Sequence, residues 1–225
     1  GLYAEVEENG STIFGNAFIA ILGTMGGIAV GVALWIQQSG VNLMALLRPQ
    51  LEPAARRFAE AFPDSAISAE TLALQLPANV TILLMLALAA ALVWERRTAL
   101  ILRLPQRRES GQTGLAGFRV PDVFVWIAIV AALGAFLNHN HPWLSVAAQN
   151  VLYVLAALYF FQGLAVLVVF FRAFRVGVFW QGFWIFMIFL QLLLMMAVAL
   201  VGFADFWLEF RDRIAKKATE LDKRV

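Results

Sequence analysis

Cysteine is absent from this 225-residue chain, which excludes disulfide bonds, thiolate metal sites and cysteine nucleophiles. Charge is also scarce, since Asp, Glu, Lys and Arg make up 14% of the residues, against about 25% in an average soluble domain. The formal net charge is +2, and the basic residues form no stripe interleaved with aromatic side chains. The sequence therefore predicts no nucleic-acid partner.

Sequence patterns that carry catalysis are missing as well. The chain has no G-x-S-x-G, H-E-x-x-H or paired-carboxylate arrangement, so we predict no enzyme, no catalytic residue and no cofactor. His139 and His141 form an H-x-H pair in a short loop before Pro142. A zinc site needs three or four ligands, and no carboxylate or thiol lies close in sequence. We interpret the pair as solvated turn residues and predict no metal.

The chain is rich in apolar residues. They make up 61% of the sequence, which contains seven Trp and nineteen Phe. Bulky apolar side chains that face lipid need no burial inside protein, and Trp favours the headgroup boundary. The composition predicts an integral membrane protein that is embedded in the lipid bilayer.

Five apolar stretches approach the length of about 20 residues that a helix needs to cross a bilayer. They lie near residues 13–36, 77–94, 121–137, 146–171 and 176–203, and none has Asp, Glu, Lys or Arg in its interior. The third stretch is the shortest. Together they predict an all-α, polytopic transmembrane helix bundle of about five spans, which forms a single domain over residues 1–225.

Residues 42–75, between the first two spans, predict an amphipathic insertion. Apolar residues recur there at helical spacing, namely Leu47, Leu51, Ala55, Phe58 and Phe62. The pattern predicts a helix that is broken near the prolines, Pro49, Pro53 and Pro63, and followed by a second helix from about Ser68 to Gln75. We interpret the insertion as lying on the membrane surface or capping the bundle, with a partner-binding surface as the alternative.

Arginine is concentrated between the second and third spans, in the loop from Glu95 to Arg119. Basic loops resist translocation, so we predict that this loop is cytoplasmic in a bacterial inner membrane and that the insertion lies on the opposite side. An odd number of spans then places the charged tail, residues 204–225, outside. Gly1 to Ser11 is acidic and does not have the pattern of a signal peptide, and we expect an N-terminal part of the protein to be missing.

A glycine repeat lies in the first span. Gly23, Gly27 and Gly31 are four residues apart and form two overlapping G-x-x-x-G units. Small residues at this spacing let a second helix approach until the backbones touch, which matters in lipid because no hydrophobic drive brings helices together there. We predict a helix-packing face. Its partner is either another helix of the same chain, which we favour, or a second copy.

Polar residues inside hydrocarbon are costly unless they are paired, so each one is a candidate site. Asn150 and Tyr153 share a face of the fourth span, and Gln181 and Gln191 lie on one stripe of the fifth. Antiparallel packing of these two spans is expected to bring Asn150 and Tyr153 near Gln191. One hypothesis is a cleft in which the four side chains orient a small neutral ligand. The other is a set of interhelical hydrogen bonds that fixes register.

Charges return where the fifth predicted span ends. Asp205, Glu209 and Asp212 lie near Arg211 and Arg213 at spacings that favour ion pairs within one helix. We interpret this segment as a charged helix end beyond the hydrocarbon, with a functional role for Asp205 as the alternative. Because no charge lies inside the predicted spans, pump and proton-relay functions are disfavoured.

Two segments carry a family resemblance. The run QNVLYVLAALYFFQGLA, from Gln149 to Ala165, and the motif GFADFWLEFR, from Gly202 to Arg211, resemble the C-terminal part of the YybS-like family of bacterial multi-pass membrane proteins. The resemblance implies a longer N-terminus and a distant similarity to the substrate-binding components of energy-coupling-factor vitamin transporters. Those components work with separate ATPase and coupling subunits, and this chain has no ATPase motif and no signature of a particular ligand.

The function expected from the residues and the resemblance is that of a non-enzymatic membrane component of solute-binding or transport type, with other membrane subunits as its partners. The alternative is a structural or assembly module of a larger membrane complex. A small molecule should stabilise a binding component, whereas a protein partner should stabilise an assembly module.

Overall fold

The computed structural model describes residues 13–61, 68–101, 115–137 and 142–222. These segments contain eight α-helices and one short 3₁₀ turn, with no strand among them. The helices are α1 (Ile13–Ser39), α2 (Leu43–Ala61), α3 (Ala69–Ile101), α4 (Val123–Leu137), α5 (Pro142–Ala173), α6 (Val178–Leu190), α7 (Leu192–Leu208) and α8 (Phe210–Asp222), and the 3₁₀ turn is Leu115–Gly117. The predicted all-α class is confirmed.

Helix α5 is the centre of the bundle. A helix that is apolar around its whole circumference buries all of its faces, and the middle of α5 is such a helix. Its buried residues include Leu155, Leu158, Phe160, Phe161, Leu164 and Ala165. Helices α3, α4 and α7 pack against it, and so do the 3₁₀ turn and α8. Every other part of the core is therefore positioned relative to α5.

Two hydrogen bonds fix the register of α4 and the segment before it along α5. The Ser145 hydroxyl donates to the Ala135 carbonyl at 3.2 Å, and the Val120 N–H donates to the Gln162 side chain at 2.9 Å. Residue numbers fall on one side as they rise on the other, so α4 runs antiparallel to α5. This pairing places the 3₁₀ turn and residues 118–120 beside the middle of α5.

Three helices, α1, α3 and α5, are long and apolar enough to cross a membrane, and α6 with α7 adds a fourth only if the bent pair is one span. Helix α4 has 15 residues, fewer than the roughly 20 that a span needs. Residues 176–203, predicted as one span, bend by 107° between α6 and α7. The bend lies at Gln191, whose backbone is extended. The structure thus differs from the five predicted spans at α4 and at Gln191.

Proline does not interrupt two of the helices where the sequence predicts a break. Helix α2 continues through Pro49 and Pro53, both of which are exposed, so the carbonyls that lose a partner lie on the outer side of the helix. Helix α3 continues through Pro77 and joins the predicted helix from Ser68 to Gln75 to the second span. The reason is a side chain of α5 that bonds the α3 backbone at this point.

Helix α1 contacts the bundle mainly through its first part. Phe18 is buried in the core, whereas from Gly23 onward most residues are exposed and only Met25 and Ile36 are half-buried. At about 100° per residue, these three side chains share one side of the helix and Gly27 lies on the other. The predicted glycine face is therefore turned away from the rest of the described chain.

Candidate functional site

A buried ion pair lies where α7 meets α8. The two helices are separated by Glu209, whose backbone is left-handed at φ 46° and ψ 47° and whose N–H bonds the Asp205 carbonyl. The chain turns at this residue, and the turn allows the Arg211 side chain to bond Asp205. The pair is six residues apart, a spacing at which side chains on one continuous helix do not meet.

Three oxygens surround the guanidinium of Arg211. Its Nε and Nη2 donate to Asp205 Oδ2 at 3.0 and 2.8 Å. Its Nη1 donates to the carbonyl oxygens of Ala116 at 3.3 Å and Phe118 at 2.8 Å. We call these three acceptors, Asp205 Oδ2, Ala116 O and Phe118 O, the oxygen cage. A planar fork of donors fits such an arrangement better than a point charge does.

Gln162 connects the oxygen cage to the centre of α5. Its Nε2 donates to Asp205 Oδ2 at 3.4 Å, and its Oε1 accepts from the Val120 N–H at 2.9 Å. The side chain is buried, with 2% exposed. One amide therefore ties together α5, α7 and the segment that leads into α4.

Burial is uneven across the site. The Asp205 side chain is 2% exposed and that of Arg211 is 15% exposed, so the carboxylate lies inside and the cation at the edge. All three donors bond Oδ2, and Asp205 Oδ1 has no hydrogen-bond partner among the described residues. An isolated carboxylate in apolar surroundings is very costly, and the Arg211 charge offsets that cost here.

Aromatic rings form the inner wall of the site. Phe18 of α1 lies 5.2 Å from Phe118 and 4.8 Å from Phe161, centre to centre. The rings pack beside the backbone that supplies two oxygens of the cage. Asn16, two residues earlier on α1, is fully buried. The N-terminal part of α1 thus shields the site from one side.

Two glycines let α7 cross α5 next to the ion pair. A Cβ at Gly163 would collide with the Val198 backbone oxygen, and a Cβ at Gly202 would collide with the Tyr159 backbone oxygen. Residue numbers rise along α7 as they fall along α5, so the helices run antiparallel. Asp205 lies one turn beyond Gly202, and this close crossing is what brings its carboxylate to Gln162.

Asn150, predicted as a ligand-binding residue, bonds the backbone of α3 beside Pro77. Its Nδ2 donates to the Leu74 carbonyl at 2.8 Å, and its Oδ1 accepts from the Ala78 N–H at 3.1 Å. Leu74 and Ala78 are partners in an uninterrupted helix. The amide takes the place of that helical bond, which keeps α3 continuous through the proline.

The structure keeps Tyr153 about one turn from Asn150 on α5, but it does not bring Gln181 or Gln191 to them. Gln181 donates to the Val176 carbonyl, two residues before its own helix begins, at 2.7 Å. Tyr153 is 40% exposed. Gln191 precedes Val198, which lies against Gly163, whereas Asn150 lies about 20 Å from Gly163 in the other direction along α5. The bend at Gln191 and the register of the crossing separate the residues that straight antiparallel spans would have joined.

The predicted packing face of α1 has no partner within the described chain. A Cβ at Gly27 or at Gly31 would meet no heavy atom within 4 Å, and the same is true of Gly26. Gly23 is exposed. The packing of this face therefore stays a prediction, and the close crossing that the structure contains lies at Gly163 and Gly202 instead.

The sequence predicts the ion pair of Asp205 and Arg211 only in part. The spacing of the charges favours ion pairs within one helix, because no sequence pattern indicates the left-handed backbone of Glu209 between the two residues. The apolar neighbours of Asp205, Phe203 and Phe206, were the available sign that the carboxylate lies in a buried segment. Among the described residues no three His, Asp or Glu side chains form a metal-binding group, and His139 and His141 lie outside those residues.

Comparison with known proteins places the chain in a family without naming an activity. The family model described as "Predicted membrane protein (DUF2232)" matches residues 3–206. No curated protein and no solved structure matches the chain at a significant level. The match supports a membrane protein of uncharacterised function, and it supports neither the YybS name nor the similarity to energy-coupling-factor components.

Proposed function

We propose, for a chain that belongs to the DUF2232 family of predicted membrane proteins, the role of a non-enzymatic solute-binding component of transport type. One observation carries the proposal, namely that Asp205 is 2% exposed in the bundle and keeps one carboxylate oxygen without a partner among the described residues. A solute that donates a hydrogen bond to that oxygen would complete the site.

The location of the charge supports this role. Ionisable residues within membrane helices are rare, and they mark substrate and ion pathways more often than other positions do. Asp205 belongs to α7, which is one half of the bent apolar pair, and not to a solvated tail as the sequence predicts. The absence of charge from the predicted spans disfavours pump and proton-relay functions, but Asp205 is a charged residue within an apolar helix.

Thermal unfolding in lipid nanodiscs tests the proposal. The purified protein is heated with solutes of similar size from three classes, which are organic cations, neutral amides and polyols, and carboxylates. We expect one class to raise the melting temperature in a saturable way, because a ligand that binds only the folded state stabilises it.

Two variants make the test specific to the site. Asp205→Asn keeps the shape of the side chain and removes its charge, and we expect it to lose the ligand-induced shift. Asp212→Asn removes an exposed carboxylate of α8 and should retain the shift. A shift that survives Asp205→Asn, or the absence of a shift with every class, would refute solute binding at Asp205.

The role of an assembly module is the second candidate, and the outward glycine face of α1 favours it. None of the apolar window within Phe18–Ser39 is buried in the chain, and the small residues leave room for a second backbone. The same face on a second copy is self-complementary, because a twofold interface pairs one patch with itself.

Disulfide cross-linking distinguishes the second candidate, since the chain has no natural cysteine. Leu34→Cys lies on the glycine face, whereas Val32→Cys lies about 140° around the helix. If two copies pack through this face, the first variant forms covalent dimers in membranes under oxidation and the second does not. Equal cross-linking of the two variants, or none with either, would contradict that packing.

A further inference from the structure

We infer that the solute bound at Asp205 is an organic cation with a guanidinium or ammonium group, and that the Arg211 side chain occupies the binding site of that cation when no solute is bound. The inference rests on the proposed solute-binding role and adds the chemical class of the solute. It also assigns α8 the role of a cover that leaves when the solute binds.

The acceptors of the oxygen cage are the first support. One carboxylate oxygen and two backbone carbonyl oxygens converge on the Arg211 guanidinium at 2.8 to 3.3 Å. The Gln162 amide also donates to Asp205 Oδ2, but the groups that bond Arg211 are all acceptors, so a ligand in its place must donate hydrogen bonds and carry positive charge. An anion would meet the carboxylate and the carbonyl oxygens with like polarity, and a neutral solute would leave the Asp205 charge uncompensated once Arg211 withdrew.

Charge balance also favours a cation that replaces Arg211 over a cation that binds beside it. Asp205 and Arg211 together are neutral, and a second cation beside both would bring an uncompensated charge into apolar surroundings. If Arg211 leaves as a cation enters, the buried site stays neutral throughout. The unbonded Asp205 Oδ1 offers the incoming group a contact before the existing bonds to Oδ2 break.

The connection of Arg211 to the bundle makes such an exchange feasible. Glu209, the single residue between α7 and α8, is a non-glycine residue in the left-handed region at φ 46°, where the backbone is strained. Beyond Arg211, several α8 side chains are exposed, namely Asp212, Arg213, Lys216 and Lys217. Among the α8 side chains that the structure describes, these four therefore face outward, and Arg211 bonds into the site.

Chemical rescue tests whether the oxygen cage binds a free cation. We expect Arg211→Ala to melt at a lower temperature than the parent, and methylguanidinium to restore most of the loss in a saturable way at constant ionic strength. Acetamide, which is neutral, should restore nothing. Arg213→Ala removes a neighbouring exposed cation, and it should keep the parent's stability and show only the parent's weaker response to methylguanidinium. In the double variant Asp205→Asn/Arg211→Ala, methylguanidinium should have no effect.

Displacement in the parent protein tests the second half of the inference. Spin labels at Arg119→Cys and Lys216→Cys, both exposed positions, report the distance between the site and α8. Saturating methylguanidinium should lengthen that distance. Its apparent affinity should be at least roughly tenfold weaker than for Arg211→Ala, because the tethered cation competes for the same oxygens.

The outcomes separate this inference from the proposed function. If methylguanidinium does not rescue Arg211→Ala, the cage is not a cation site and the inference is overturned. Rescue with an unchanged label distance in the parent also overturns it, because Arg211 is then a permanent structural pair. If a neutral or anionic solute stabilises the parent through Asp205 instead, the proposed function stands and the cationic class is wrong.

Discussion

Two sets of glycines in this molecule have opposite surroundings. At the crossing of α5 and α7, a methyl group on Gly163 or Gly202 would collide with backbone atoms of the other helix, whereas on α1 a methyl group on Gly27 or Gly31 would meet nothing within 4 Å. The apolar window of α5 is 61% buried and that of α1 is 0% buried. Regular G-x-x-x-G spacing indicates a helix face that is able to pack closely. Within the described chain, however, the close helix contact is made by single glycines, Gly163 on α5 and Gly202 on α7.

Alanine at the crossing should have the largest effect. Gly202→Ala places a methyl group on the Tyr159 carbonyl, which is backbone and cannot rotate away, so α5 and α7 must separate. We expect a loss of about 3 kcal/mol, the upper end for over-packing, measured by unfolding in mixed micelles. Gly182→Ala on α6, where a Cβ meets nothing within 4 Å, is the matched control. Equal stability of the two variants would show that the crossing is not close.

Removing the Asn150 amide should have the next largest effect. Asn150→Leu leaves the Leu74 carbonyl and the Ala78 N–H without their partner, and unsatisfied buried groups cost about 1–3 kcal/mol. Tyr153→Phe, on the same helix, should change stability little because that side chain is 40% exposed.

A second substitution shows whether the proline is the reason for the Asn150 contact. Pro77→Ala permits a regular helix in which Ala78 bonds Leu74 directly. The double variant Pro77→Ala/Asn150→Leu should therefore lose less stability than Asn150→Leu alone. If the two losses simply add, the amide does not serve the proline turn.

Alanine at a glycine of α1 should have the smallest effect on stability, and it should stabilise the chain instead of destabilising it. In open space a helical glycine is less favourable than alanine by roughly 0.5–1 kcal/mol. Gly27→Ala should therefore leave the isolated chain as stable as the parent or slightly more stable, by the same unfolding measurement. A marked loss would mean that a backbone packs against this face.

The helices themselves were largely predictable from sequence because their signal is length and apolar composition, which need no knowledge of neighbours. The interruptions were not. Pro77 predicts a boundary by local rules, but Asn150, distant in sequence, bonds the Leu74 carbonyl and the Ala78 N–H at the proline turn. Gln191 shows no local sign of a break, being neither proline nor glycine, and the chain bends there in a way that allows α7 to cross α5.

The sequence shows the polar and charged residues of the candidate site, but it does not predict which of them contact one another. Gln162 is one of several uncharged polar residues in the spans, and nothing in the sequence distinguishes it from Gln181, which bonds the Val176 carbonyl just before its own helix. Asp205 and Arg211 are visible as charges, but their pairing depends on the left-handed backbone of Glu209. The site depends on the backbone conformation of Glu209 and on the Gln162 amide, which is distant in sequence, and neither produces a periodic sequence pattern.

A double-mutant cycle on Asp205 and Arg211 tests the central claim, that one internal ion pair organises this end of the bundle. Removing either partner of a buried pair leaves an uncompensated charge or unsatisfied carbonyls and costs about 3–5 kcal/mol, whereas replacing both with apolar residues costs much less. Asp205→Leu and Arg211→Leu should each lower the free energy of unfolding, and the double variant should lose less than the sum by about 1.5 kcal/mol or more. Losses that add within experimental error would contradict the claim, because the two side chains would then not interact.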